Sequence, residues 1–236
     1  MATKDIVGPF RVAFGGIVHT FRTQQHMRVF VYVTLIVVLG AILLELRIRE
    51  ILVLLFMVTL VLVAEMFNSA IEAVVDLVSP GYNPLAKFAK DISAGAVLIT
   101  SIMAIIVGAM IAVGDDQWER IQLNLTTHEL GLPVAFRLGG GVGIAILVVV
   151  IGKGLGKRGR VLRGGLVSGH AAIGFFLATS TFFLVDSVLV PAIALILASL
   201  VAQSRWEAKF HSVFELTLGA TVGAVLGVLL FGIMPK

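Results

Sequence analysis

Four polar side chains recur at helical spacing behind a long apolar run: Glu65, then Asn68 or Ser69, then Glu72 and Asp76. Steps of three and four residues put them on one stripe of an α-helix. Glu65 and Glu72 then stand about 10 Å apart along the axis. At that spacing one carboxylate can abstract a proton while the other holds a divalent cation. Ionisable groups inside a membrane are costly, so such a row marks function or pairing. The pairing alternative is neutralisation by Lys87 and Lys90 across a hairpin. The next segment opens at Pro84 and carries Lys90-Asp91. There a lysine can neutralise phosphate oxygens and a carboxylate can position a metal or a ribose. Nucleotide phosphates with Mg²⁺ ask for this oxygen-ligand chemistry. The sequence contains no Gly-x-x-x-x-Gly-Lys-Ser/Thr loop, so helix side chains would have to build such a site.

A second set follows later in the chain. Lys153, Lys157, Arg158, Arg160 and Arg163 precede Val167-Ser168-Gly169-His170, and Ser204-Arg205 precedes His211 and Glu215. His211 and Glu215 are one helical turn apart, so the carboxylate can orient the imidazole and stabilise its charged form. A histidine held in this way can attack phosphorus while His170 protonates the leaving oxygen. Cationic side chains and backbone amides would stabilise the transferring phosphoryl group. Two histidines and a glutamate could instead hold zinc, but the surrounding arginines repel a cation and attract phosphate. His19, His26 and His128 read as interfacial bystanders.

The elements that carry these residues are membrane helices. Of 236 residues, 58% are apolar and 14% charged, and the mean hydropathy is +1.05. A soluble domain of this length could not hide so much apolar surface. Absence of cysteine excludes disulfides and thiolate chemistry. The sequence pI of 9.7 is accounted for by basic loops on the cytoplasmic side, not by nucleic-acid binding. Apolar runs at residues 29–45, 50–71, 92–113, 134–152, 168–185, 187–204 and 210–233 are expected to span the bilayer. With the N-terminus inside, thirteen of the eighteen lysines and arginines fall on the cytoplasmic side. Both polar clusters then face the cytoplasm, and the C-terminus lies outside. Ahead of the first span there is no cleavable leader pattern. Phe10, Phe14, Ile17 and Phe21 instead suggest an interfacial amphipathic helix. Glycines at 139–143 and 219–227 suit close helix packing. Residues 114–133 form the longest polar connection and divide the chain in two.

Glu65-Met66-Phe67-Asn68-Ser69-Ala70-Ile71-Glu72-Ala73-Val74-Val75-Asp76 and Ala89-Lys90-Asp91 closely resemble the small prokaryotic diacylglycerol/undecaprenol kinase family over residues 5–113. The resemblance implies an interfacial helix and three spans, a homotrimer, and MgATP-dependent phosphorylation of a lipid alcohol. It makes Glu65 the general base on the lipid hydroxyl and assigns Asn68 and Glu72 to the metal. Asn68, Asp76, Lys90 and Asp91 go to the nucleotide. Pro84-Leu85-Ala86-Lys87 and Ala94-Gly95-Ala96-Val97-Leu98 look more like the undecaprenol kinase branch. Where the family places a second metal-binding glutamate, four residues before Arg28, this chain has Gln24.

The second set resembles the type-2 phosphatidic acid phosphatase superfamily over residues 134–233. The resemblance implies a metal-independent phosphatase with His211 as nucleophile, Glu215 as its orienting carboxylate and His170 as general acid. Lys153, Lys157, Arg160, Arg163, Ser168, Gly169, Ser204 and Arg205 would hold phosphate. Val167 stands where the family has proline, Glu215 where it has aspartate, and no Arg-Pro pair is present.

The sequence is therefore expected to be an all-α polytopic protein of the bacterial cytoplasmic membrane. It divides into a kinase-like domain (1–113), an extracytoplasmic linker (114–133) and a phosphatase-like domain (134–236). The expected function is bifunctional, with undecaprenol favoured over diacylglycerol. A single activity with the other half as scaffold is the alternative, and a proton-coupled transporter a more distant one.

Overall fold

The computed structural model describes residues 7–114, 132–155 and 166–233. Among them the helices in chain order are α1 (Val7–Thr23), α2 (Gln25–Leu43), α3 (Ile48–Val78), α4 (Pro84–Val113), α5 (Val134–Leu155), α6 (Gly169–Leu184), α7 (Leu189–Glu207) and α8 (Val213–Gly227). A π-helical turn, Val228–Gly232, prolongs α8. Among the described residues six helices are long and apolar enough to cross a membrane: α2, α3, α4, α5, α7, and α8 with its π turn. The seventh expected span is α6, apolar but only 16 residues long. The protein is thus an all-α polytopic membrane protein, as the hydropathy pattern implies. Its helices fall into two compact units, Thr23–Thr127 and Met1–Arg22 with His128–Lys236.

In the first unit, α2, α3 and α4 pack in sequence order. Buried Met27, Val31, Thr34, Val38, Ala41 and Ile42 form the inner stripe of α2. On α3 the buried row Met57, Val61, Glu65 and Asn68 passes from apolar to polar without leaving its face. That continuity explains why α3 does not end with its apolar run near residue 71. At 31 residues it is about 46 Å long, more than the roughly 30 Å of a hydrocarbon core. The chain turns through residues 79–83 and re-enters at Pro84, eight residues before the apolar run begins. Asn83 caps α4, its Oδ1 accepting from the Leu85 amide at 2.8 Å and the Ala86 amide at 3.4 Å, and Pro84 takes the first turn where no amide is needed.

In the second unit α6 is central, packing against α5, α7 and α8. The closest approach is to α8, along Gly219, Gly223 and Gly227. A Cβ on Gly219 would stand 2.5 Å from the Ser168 carbonyl oxygen, and one on Gly223 only 2.7 Å from the Phe176 amide nitrogen. Spacings of four keep these glycines on one face, so the backbones of α6 and α8 come close at Gly219 and Gly223, while Gly227 leaves room for the Thr179 side chain. On α5, Gly141 accommodates the ring of Phe176, itself fully buried.

Candidate active sites

The first cluster is assembled by the α3–α4 hairpin. Glu65 and Asn68 are buried, Glu72 is half-buried and Asp76 exposed. The amide nitrogen of Asn68 donates to Glu72 Oε1 at 3.2 Å. From α4, buried Ser93 donates its hydroxyl to Asn68 Oδ1 at 2.7 Å, with the Lys90 carbonyl oxygen 2.9 Å away as a second acceptor. Asn68 is thus fixed on both sides, its oxygen toward α4 and its nitrogen toward the carboxylate. Lys90 pairs with Asp76 across the hairpin, while Lys87 and Asp91 form an exposed pair at 3.4 Å within α4. The pairing alternative accordingly holds for Asp76. Neither Glu65 nor Glu72 enters an ion pair among the described residues. The neighbouring charges that Glu65 feels are His26 and Glu72.

Ser93 was not legible in the sequence as a member of this cluster, and His26, read there as an interfacial bystander, is an electrostatic neighbour of Glu65. Ser93 lies three residues past Lys90 on the same face, which is the signal that could have found it. Gln24 stands at the N-cap of α2, and its side chain makes no cap hydrogen bond. The donor set, carboxylate and amide oxygen with no sulfur, suits Mg²⁺, which is held by one or two carboxylates together with nucleotide phosphates.

The second cluster is built by two helix ends and a tight turn. α7 closes in a Schellman motif: the Phe210 amide donates to the Arg205 carbonyl at 3.1 Å and the Lys209 amide to that of Trp206 at 2.8 Å. Lys209 takes the left-handed conformation (φ 54°) that this motif requires and that glycine usually supplies. The reversal brings the His211 amide to 3.4 Å from the same Arg205 carbonyl. Ser212 then caps α8 in a capping box, with its Oγ accepting from the Glu215 amide (3.3 Å) and Glu215 Oε2 accepting from the Ser212 amide (3.2 Å). That same Oε2 is 2.8 Å from His211 Nδ1. A carboxylate accepts, so Nδ1 carries the hydrogen, which in the neutral ring leaves the lone pair on Nε2.

Glutamate in place of aspartate is explained by the same geometry. At the third helical position, glutamate can reach back to the cap amide and meet the imidazole with one oxygen. His211 is buried and Glu215 half-buried. His170, on the first turn of α6, is exposed and within electrostatic reach of Arg205, His211 and Lys153. Arg205 lies over the ring of Phe210, 5.8 Å from its centroid. Its buried Nε has no hydrogen-bond acceptor among the described residues. Ser168 is fully buried, and its Oγ caps α6 by accepting from the Ala171 amide at 3.5 Å. Its own amide donates to the Glu215 carbonyl at 3.1 Å, tying the Ser-Gly-His segment to α8. Gly169 opens α6, and Ser204 is exposed beside Arg205 on α7. Lys153 is buried near the end of α5. Lys157, Arg160 and Arg163 lie outside the described residues.

Comparison with known proteins also divides the chain in two, but its first part takes in residues 11–22, which pack with the second unit. The family described as prokaryotic diacylglycerol kinase matches residues 11–112, and the PAP2 superfamily matches residues 117–236. A diacylglycerol kinase of Synechocystis sp. is 42% identical over 105 residues, covering 44% of this chain and 60% of that protein. The undecaprenol kinase of Bacillus subtilis is 34% identical over 96 residues, covering 41% of this chain and 78% of that protein. A diacylglycerol kinase of Pseudomonas aeruginosa is 31% identical over 111 residues, covering 47% and 90%. No solved structure matches significantly.

Proposed function

We propose that this chain, which belongs to the prokaryotic diacylglycerol kinase family through its first half and to the PAP2 superfamily through its second, is a bifunctional membrane lipid enzyme. One site phosphorylates a lipid alcohol from MgATP, and the other removes phosphate from a lipid phosphate or diphosphate. The observation that carries the reading is the His211–Glu215 pair, 2.8 Å apart, with Arg205 Nε buried and without a hydrogen-bond acceptor among the described residues.

In the phosphatase reaction His211 Nε2 attacks the terminal phosphorus as its bond to the leaving oxygen breaks, the ester oxygen of a monophosphate or the bridging oxygen of a diphosphate. His170 gives a proton to that departing oxygen. Water then gives a proton back to His170 and displaces the phosphoryl group from His211 as inorganic phosphate. Glu215 stabilises the imidazolium character that develops at His211, and Arg205 with Lys153 balances the phosphoryl charge. Lys157, Arg160, Arg163, Ser168, Gly169 and Ser204 complete the phosphate site in this reading.

In the kinase reaction Glu65 takes the proton of the lipid hydroxyl, its buried position on α3 matching a substrate that arrives from the bilayer. Asn68 and Glu72 would hold the metal, with Gln24 as a neutral third member. Asp76, Lys90 and Asp91 face the nucleotide. Mg²⁺ bound with ATP neutralises the charge of the transferring group. Three copies assemble through the kinase half, both sites face the cytoplasm, and the membrane is the bacterial inner membrane. The two activities then feed one pool, phosphorylating undecaprenol and trimming undecaprenyl diphosphate to the monophosphate.

Purified protein incubated with undecaprenol or diacylglycerol, with and without MgATP, and separately with lipid mono- and diphosphates, tests this. The expected result is ATP-dependent phosphate transfer to undecaprenol and ATP-independent phosphate release from the diphosphate. Monophosphate hydrolysed as fast as diphosphate would remove the common-pool reading, and no transfer or release would remove the proposal.

A further inference from the structure

Helix α1 enters neither site as described, yet it is seated on one end of α5. Phe21 is fully buried, and a Cβ placed on Gly154 would run into its ring. The missing side chain at 154 leaves the slot that Phe21 fills. Val18, about one turn earlier, is buried as well. Arg22 donates to the Lys153 carbonyl oxygen from Nε, at 3.1 Å, and from a terminal guanidinium nitrogen. That carbonyl lies in the last turn of α5, where main-chain oxygens lack helical partners and a cation is favoured. Phe14, two turns before Phe21 on the same face, has its ring centroid 5.8 Å from Lys153 Nζ. Lys153 is therefore held at its backbone by Arg22 and at its ammonium by Phe14. The ammonium is within electrostatic reach of both Glu215 and His170.

We propose that α1 is a positioning element of the His211 site, fixing Lys153 where its ammonium meets a substrate phosphate. This rests on the phosphatase reading and adds to it a segment that the family match, beginning at residue 11, assigns to the kinase half. A lysine stem is flexible, and an ammonium already settled on an aromatic face loses less freedom when an anion arrives. A positioning role of this kind acts on substrate affinity, so it moves KM. Loss of folded enzyme would lower kcat instead.

The test uses the full chain with Gly154→Val, Phe21→Ala and the two combined, assayed for phosphate release from a lipid phosphate. Size-exclusion profiles in detergent serve as the folding control. Gly154→Val is expected to raise KM about tenfold with kcat little changed, a coupling of the size neighbouring residues show. Phe21→Ala in the Gly154→Val background removes the ring that the valine strikes, and is expected to recover most of that loss. If wild type releases phosphate while Gly154→Val leaves KM untouched, or the double variant is no better than the single, this inference falls and the phosphatase reading stands. If wild type releases no phosphate from any lipid, both fall together.

Discussion

One oxygen of Glu215 serves two partners: Oε2 is 2.8 Å from His211 Nδ1 and 3.2 Å from the Ser212 amide nitrogen. The carboxylate that starts α8 is thus the one that orients the histidine, so the local fold and the proposed chemistry share an atom. Glu215→Gln retains an acceptor for the cap amide but loses the charge that stabilises an imidazolium. Phosphate release is expected to fall by about a hundredfold or more in kcat, with thermal stability nearly unchanged. Steady-state kinetics alongside a melting curve check this; a kcat within a few-fold of wild type would show that the carboxylate charge is dispensable.

Gly223 sets how closely α8 approaches α6, and with it the distance from His211 to His170. Gly223→Ala puts a Cβ where the Phe176 amide nitrogen would be 2.7 Å away, so the helices must separate. Overpacking of this kind costs about 1–3 kcal/mol. Phosphate release is expected to drop while ATP-dependent phosphorylation persists, as measured by assaying both activities on one preparation.

Ser93 fixes Asn68, and Asn68 fixes Glu72. Ser93→Ala leaves a buried amide oxygen without its donor, a loss of about 1–3 kcal/mol. A rise of several-fold in the Mg²⁺ concentration needed for half-maximal kinase rate is expected, with phosphate release unaffected. Ser93→Thr, which keeps the hydroxyl, should restore the wild-type requirement.

Gln24 offers an amide where the kinase family has a carboxylate. Gln24→Glu restores a negative charge for the metal, so the Mg²⁺ requirement of the kinase reaction is expected to fall. A titration of rate against Mg²⁺ reads this directly, and an unchanged curve would show that position 24 does not contact the metal.

The absence of cysteine makes topology simple to test, because a single introduced thiol is unambiguous. Arg158→Cys in intact cells should resist a membrane-impermeant maleimide and react only after permeabilisation. Labelling from outside would overturn the cytoplasmic placement of the second site.

What was readable in the sequence is what depends on local spacing. Glu65 to Asp76 and His211 with Glu215 lie one or a few turns apart, and a helix brings such residues together whatever surrounds it. Gly219 to Gly227 was readable for the same reason. Ser93 escaped notice because its role depends on which face of α4 meets Asn68, a tertiary fact. The turn at Lys209 was hidden because a left-handed position is ordinarily marked by glycine. On α1 the expected stripe of Phe10, Phe14, Ile17 and Phe21 turns inward at all but Phe10, which is exposed, and Val18 is buried beside it. That Phe21 is the deepest of them depends on Gly154, on a distant segment.

The central claim is that two independent sites occupy one chain. Its most direct test is to measure ATP-dependent lipid phosphorylation and lipid phosphate hydrolysis side by side on wild type, Glu65→Gln and His211→Ala. The account expects Glu65→Gln to abolish phosphorylation and spare hydrolysis, and His211→Ala to do the reverse. Loss of both activities by either substitution, or of neither by one of them, would contradict it.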